Sequence, residues 1–136
     1  MYPPELVAPM KAELASAGFC ELITADDVND ALDKPGTTLV AINSVCGCSA
    51  GSMRPGVIAA MENEKTPDYI TTAFAGVDTD AVAHARKFML PYPPSSPSIA
   101  LFKDGKLAMM VERHHIEGNT AEAISAHLKL AFNEFC

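Results

Sequence analysis

Thr37-Thr38-Leu39-Val40-Ala41-Ile42-Asn43-Ser44-Val45-Cys46-Gly47-Cys48-Ser49 joins two different kinds of sequence. Residues 37–44 are β-branched and mostly apolar without alternation, the pattern of a central strand buried on both faces. The two cysteines follow at once. From about Ser49 to Glu64 the chain reads as a helix, with Pro55 inside it as an expected kink. The cysteines are therefore expected where a buried strand ends and a helix begins.

That position favours thiol chemistry. The thiolate is the nucleophile in disulfide exchange, so a useful cysteine must ionise near neutral pH. A helix N-terminus supplies about half a positive charge and several unpaired N–H groups, both of which favour the anion. Gly47 removes the side chain that would hinder a tight bend between the sulfurs. Residues i and i+2 across such a bend can reach the Cα separation of roughly 4.4–6.8 Å that a disulfide requires. The small ring is expected to be strained, and a strained pair is easier to reduce. Cys46, on the exposed side of the junction, is assigned as the attacking thiol. Cys48, in the first helical turn, is assigned as the resolving one, so the two form a redox-active disulfide. Position alone leaves the reverse assignment open.

Working outward, Leu6, Met10 and Leu14 fall at helical spacing, with Gly18 as a stop and Pro9 as a kink or a late start. Residues 19–23 read as a short strand, and Thr24 caps a helix through Leu32 that Pro35-Gly36 ends. Tyr69 to Ala75 is a second buried strand, followed by a helix ending near Met89. Ser98–Phe102 and Leu107–Glu112, separated by Lys103-Asp104-Gly105-Lys106, read as a β-hairpin. Asn119, with Glu122 three residues on, suggests a capping box for a last helix whose buried stripe is Ile124, Leu128 and Phe132. A βαβ unit followed by a hairpin and a closing helix gives a mixed sheet flanked by helices. This is the element order of the thioredoxin-like α/β fold, which carries its cysteines at the same strand–helix junction.

The chain has 136 residues, is 49% apolar and 20% charged, and carries a net charge of -7. One domain over residues 1–136 is expected, large enough to bury a core without staples. The acidic balance and the lack of a basic patch argue against nucleic-acid and anionic-membrane partners. No stretch approaches the ~20 apolar residues of a membrane span, and the N-terminus lacks the basic head and apolar run of a secretory signal. The expected compartment is the cytoplasm, where a closely spaced cysteine pair points to redox chemistry or metal binding.

Pro97 is the second feature with chemical content. Ser96-Pro97-Ser98 leads into a strand, and X-Pro bonds are the ones that adopt cis at low cost. A cis Pro97 facing the cysteines would leave the backbone at Ser96 free to pair with substrate, so Ser96 and Pro97 are taken as substrate-binding. His114 and His115 read as a strand-end and loop cluster. Adjacent histidines on a strand point to opposite faces and pair poorly on a metal, so no metal site is assigned. Cys20, between Phe19 and Leu22, is expected to be a small core residue. Cys136 is expected to be exposed and frayed.

Taken together, Asn43-Ser44-Val45-Cys46-Gly47-Cys48, Arg54-Pro55, Lys65-Thr66-Pro67, Phe74-Ala75-Gly76, Pro94-Ser95-Ser96-Pro97-Ser98, Arg113-His114, Ile116-Glu117-Gly118 and Phe135-Cys136 resemble the bacilliredoxin family over nearly the whole chain. The resemblance implies a thioredoxin-like fold, a bacterial cytoplasmic origin and no cofactor. It also implies removal of bacillithiol from mixed disulfides on oxidised proteins, with disulfide isomerase activity as a related role. Cys46 takes the nucleophilic role by motif, and Cys48 that of the second redox thiol. Cys20 stands where the family usually has an acidic residue, so no role transfers to it. The competing readings are a general protein disulfide reductase or isomerase, a metal-binding module using Cys46, Cys48 and His114, and a non-catalytic binding domain.

Overall fold

The computed structural model describes residues 2–136. Its helices are α1 (Pro4–Ala15), α2 (Ala25–Leu32), α3 (Arg54–Ala60), α4 (Thr79–Lys87), α5 (Arg113–Ile116) and α6 (Ala121–Phe135). Its strands are β1 (Cys20–Glu21), β2 (Thr37–Asn43), β3 (Tyr69–Phe74), β4 (Ser98–Lys103) and β5 (Lys106–Val111). They form one sheet in the order β1-β3-β2-β4-β5. β1, β3 and β2 run parallel, and β4 and β5 are each antiparallel to their neighbour. The fold is thioredoxin-like α/β, a mixed sheet with helices on both faces.

β2 occupies the centre, and every one of its residues is buried. Strand alternation then divides the core. Leu39 and Ala41 of β2, with Ile99 and Leu101 of β4, pack on one face against Leu14 of α1, Val57 of α3, and Ile124, Leu128 and Phe132 of α6. Val40, Ile42, Ala100 and Phe102 pack on the other against Val28 and Leu32 of α2 and Val82 and Ala85 of α4. Each fully buried Leu, Ile or Phe contributes roughly 1.5–3 kcal/mol, so a two-sided core of this size needs no disulfide.

Several local readings are corrected. α1 begins at Pro4, contains Pro9, and buries Val7 and Leu14, whereas Leu6 is 44% exposed. Cys20 is exposed rather than a core residue; its neighbours Phe19 and Leu22 enter the core instead. The helix after the cysteines is not a kinked run to Glu64. It opens as a π-helical turn, Ser49–Met53, continues as α3, and stops at Ala60. Pro55 explains the break: it has no N–H to donate and its ring crowds the preceding turn, so the backbone widens ahead of it. α6 is capped by Thr120, whose side chain accepts the Ala123 amide, and not by Asn119. Cys136 is exposed, but its amide still donates to Phe132 O, so the terminus is held rather than frayed.

Candidate functional site

The site is assembled by strand register. β2 ends at Asn43, and Ser98 of β4 lies opposite Ile42, which brings Pro97 level with Asn43. Val111 of β5 lies opposite Ile99, which brings Arg113 level with Pro97. The ends of three adjacent strands thus deliver Cys46, Ser96-Pro97 and Arg113 to one edge of the molecule. A bulge between Leu101 and Phe102 shifts the hairpin register by one residue, and Asp104-Gly105 closes the hairpin with both residues at positive φ.

Cys46 and Cys48 are both free thiols, half-buried, with their sulfurs 2.8 Å apart in a hydrogen bond. The Cys46 carbonyl accepts the Ser49 amide at 2.9 Å, which starts the π-helical turn, and the Cys46 amide donates to Ser44 Oγ at 3.2 Å. Arg113 Nη2 donates to Cys46 Sγ at 3.2 Å, while its Nη1 donates to Ser96 O at 3.2 Å and its Nε to Glu117 Oε2 at 2.9 Å. The Ser96–Pro97 bond is cis, as the sequence reading expects, and the same loop contains a second cis bond at Leu90–Pro91.

These contacts separate the two thiols electrostatically. The Cys48 side chain, then its backbone N–H, and then the Arg113 charge hold the Cys46 thiol below its ordinary range; partial burial and Glu117 oppose them. Cys48 is pushed up, first by burial and then by the neighbouring Cys46. The two directions favour Cys46 as the more acidic thiol of the pair. Cys136, although exposed as a residue, is also pushed up, chiefly by partial desolvation of its sulfur.

Two features of the site lie outside the sequence reading. Arg113 is one of these, and its signal lies in the hairpin register, which the bulge conceals. The second is a buried polar network beneath the cysteines: Arg54 donates to Asn43 Oδ1 and Ser44 O, and Ser44 Oγ meets Ser49 Oγ at 2.9 Å. A charged residue one step from Met53 and three from Val57, both fully buried, is the sequence mark of that network.

His114 and His115 lie on α5 and not on a strand, so the opposite-faces argument fails; their ring centroids are 4.0 Å apart. With Glu112 they form the one group of three metal-type side chains among the described residues, with ligand atoms within 4.8 Å of one another. His115 Nδ1, however, accepts the Glu112 amide, and His114 Nε2 faces the Glu112 carboxylate at 3.8 Å. These are the contacts of a helix start, and Cys46 and Cys48 are not members of the group. The metal reading with Cys46, Cys48 and His114 gains no support from this arrangement.

A sequence family described as disulphide isomerase matches residues 2–136. A Bacilliredoxin of Cytophaga hutchinsonii is 59% identical over 134 residues, covering 98% of this chain and 99% of that protein. The chain belongs to the bacilliredoxin family. Another bacilliredoxin, from Geobacillus kaustophilus, is 48% identical over 132 residues, covering 97% of this chain and 91% of its own. Among solved structures, Fasciola hepatica thioredoxin superposes with a TM-score of 0.59 at 18% identity, covering 87% of this chain and 100% of that one. Oxidised mitochondrial thioredoxin 3 of Saccharomyces cerevisiae gives 0.59 at 14% identity, covering 90% and 98%. At such identities these two show the fold alone. Family and fold together make this bacilliredoxin-family chain a thiol–disulfide oxidoreductase.

Proposed function

We propose that the protein removes bacillithiol from mixed disulfides on oxidised protein cysteines, with Cys46 as the attacking thiol. The Cys46 thiolate attacks the bacillithiol sulfur, the mixed disulfide breaks, and the client cysteine leaves as a thiolate that takes a proton from solvent. Bacillithiol is then held on Cys46. Cys48 gives up its proton to solvent, attacks the Cys46 sulfur as a thiolate, expels bacillithiol as its thiolate, and closes the Cys46–Cys48 disulfide. A low-molecular-weight thiol supplies the two electrons that reopen it, or resolves the Cys46 adduct directly.

The observation that carries this reading is the division between the thiols: Cys46 is depressed and shared between Cys48 and Arg113, while Cys48 is raised. An attacking and a resolving thiol need that asymmetry. Ser96 and Pro97 are the proposed substrate-binding wall beside them, although the Ser96 carbonyl is not free as expected. Arg113 Nη1 already donates to it, so a substrate strand must displace Arg113 or pair elsewhere. The net charge of -7 disfavours nucleic-acid partners, and oxidised proteins of a reducing cytoplasm are the proposed clients. The whole chain, 1–136, is read as one working domain.

The test is release of bacillithiol from a bacillithiolated protein, compared with a glutathionylated protein and a scrambled protein disulfide. Wild type is expected to prefer the first, and Cys46→Ala to lose release. Equal rates on all three substrates would replace this reading with a general disulfide reductase or isomerase; the matching family's description names the isomerase alone.

A further inference from the structure

Arg54 is 2% exposed, and a buried guanidinium is costly unless every donor finds a partner. Its Nε donates to Glu13 Oε1 of α1 at 3.2 Å; its Nη1 donates to Asn43 Oδ1 at 2.9 Å and to Ser44 O at 3.1 Å. Asn43, also buried, uses the same Oδ1 to accept the Ser44 amide at 2.9 Å and is itself anchored by Nδ2 donating to Met10 O at 3.1 Å. Both backbone groups of Ser44 are thereby clamped. Its hydroxyl is left to meet Ser49 Oγ at 2.9 Å and to accept the Cys46 amide at 3.2 Å.

The backbone of Arg54 closes the same circuit. Its N–H donates to Ser49 O, the bond that completes the π-helical turn, so the residue grips Ser49 through its main chain and Ser44 through its side chain. The cysteine segment is strung between those two serines. Arg54 is not among the groups that shift Cys46, which are Cys48, Arg113 and Glu117. Its side-chain bonds reach Glu13, Asn43 and Ser44 and neither sulfur, so placement is the route by which it acts on the thiol.

We propose that Arg54 is a positioning residue for the thiol exchange: it clamps Ser44 so that the Ser44 hydroxyl holds the Cys46 amide and sets the Cys46 sulfur against Cys48 and Arg113. The inference rests on the reading of Cys46 as the attacking thiol. Lysine keeps the charge but lacks the planar fork that spans Asn43, Ser44 and Glu13, so it cannot replace arginine fully.

The experiment compares wild type with Arg54→Met, Arg54→Lys, Ser44→Ala and the Arg54→Met/Ser44→Ala double variant, each confirmed folded by circular dichroism. Two quantities are read: the alkylation rate of each cysteine by mass spectrometry, and the pH midpoint of thiolate absorbance. Arg54→Met and Ser44→Ala are each expected to slow Cys46 alkylation severalfold and to move the midpoint upward, with Arg54→Lys intermediate. The double variant is expected to be no slower than the slower single one, because both act through one contact chain. Val28→Ala, in the opposite core, is expected to lower the melting temperature and leave Cys46 alkylation unchanged. If Arg54→Met does not fold, Ser44→Ala and Arg54→Lys decide the matter. Unchanged Cys46 reactivity in the folded variants, or additive effects in the double variant, overturns the proposal. Slow Cys46 alkylation in wild type is a separate result, and it removes the attacking-thiol reading itself.

Discussion

Arg113 Nη2 donates to Cys46 Sγ across 3.2 Å, although the two residues lie 67 positions apart in the chain. The contact exists because β5 ends one sheet position beyond β4, and α5 begins at that end. The guanidinium is exposed and also engaged by Glu117, so its effect on the thiolate is screened. Arg113→Ala is expected to raise the Cys46 titration midpoint and to slow alkylation by roughly two- to fivefold, the range of an exposed ion pair. Glu117→Gln is expected to move the midpoint the other way, since that carboxylate opposes the thiolate. Titration of thiolate absorbance in the two variants checks both signs.

The pH dependence of cysteine alkylation follows from opposed shifts. Cys46 lies below the ordinary thiol range; Cys48 and Cys136 lie above it. Only the thiolate reacts, so Cys46 labelling is expected to reach its half-maximum at a lower pH than either of the others. The ratio of Cys46 to Cys136 labelling is then greatest on the acid side of the range and narrows as pH rises through it. Linkage gives the matching stability statement. The depressed Cys46 contributes stability to the reduced fold that is lost as pH falls through its folded value. The raised Cys48 and Cys136 take stability away as pH rises past the unfolded thiol pKa, so the reduced fold is expected to be most stable near that pKa. Pulse alkylation with peptide mapping across pH, and denaturation of the reduced protein at the same pH values, test the two statements.

Much of this architecture was legible in residues 37–49, because a β-branched, mostly apolar run followed at once by two cysteines leaves few other placements. β2 is central, the cysteines sit at a helix start, and the Ser96–Pro97 bond is cis. What escaped was set by interactions distant in sequence. The Cys46–Arg113 contact depends on a bulge near Leu101, and the burial of Arg54 depends on Glu13 arriving from α1. Cys20 stays out of the core because its two-residue strand pairs on one side only and leaves the thiol exposed.

The cap of α6 offers a stability test of a local reading. Thr120 Oγ1 accepts the Ala123 amide, whereas the Asn119 side chain donates back to His115 O and the Asn119 backbone carbonyl accepts from Ser52 Oγ. Thr120→Ala is expected to cost about 1 kcal/mol, as loss of an N-cap does. Asn119→Ala is expected to cost less, since it leaves that cap intact. Urea denaturation of both variants ranks them, and the reverse order would restore Asn119 as the cap.

Gly56 fixes how closely α3 approaches α6. A Cβ there would lie 2.9 Å from Ile124 Cγ2 and 3.2 Å from the Ala121 carbonyl. Alanine gains about 1 kcal/mol over glycine in a helix, but overpacking costs typically 1–3 kcal/mol. Ile124 is β-branched and stiff at χ1, so it yields poorly. Gly56→Ala is therefore expected to be net destabilising by chemical denaturation, and a stabilised variant would show that the α3–α6 contact relaxes freely.

The sharpest test of the thiol assignment is Cys48→Ala. A simple division of labour predicts that this variant performs the first exchange normally and fails only at resolution. The geometry predicts otherwise. The Cys48 thiol is the largest influence holding Cys46 down, ahead of the Cys48 backbone N–H and of Arg113. Its removal leaves those two contributions in place, so Cys46 remains the most reactive cysteine. It nevertheless loses the 2.8 Å hydrogen bond from a protonated neighbour. Cys48→Ala is therefore expected to raise the Cys46 midpoint by more than Arg113→Ala does, and to slow the first exchange at neutral pH while an adduct still accumulates on Cys46. Cys46→Ala is expected to form no adduct at the site. Intact-mass measurement of both variants after incubation with a bacillithiolated protein gives the adduct position, and thiolate absorbance gives the order of the midpoints. A Cys46→Ala variant that captures bacillithiol on Cys48 at the wild-type rate would exchange the roles of the two thiols.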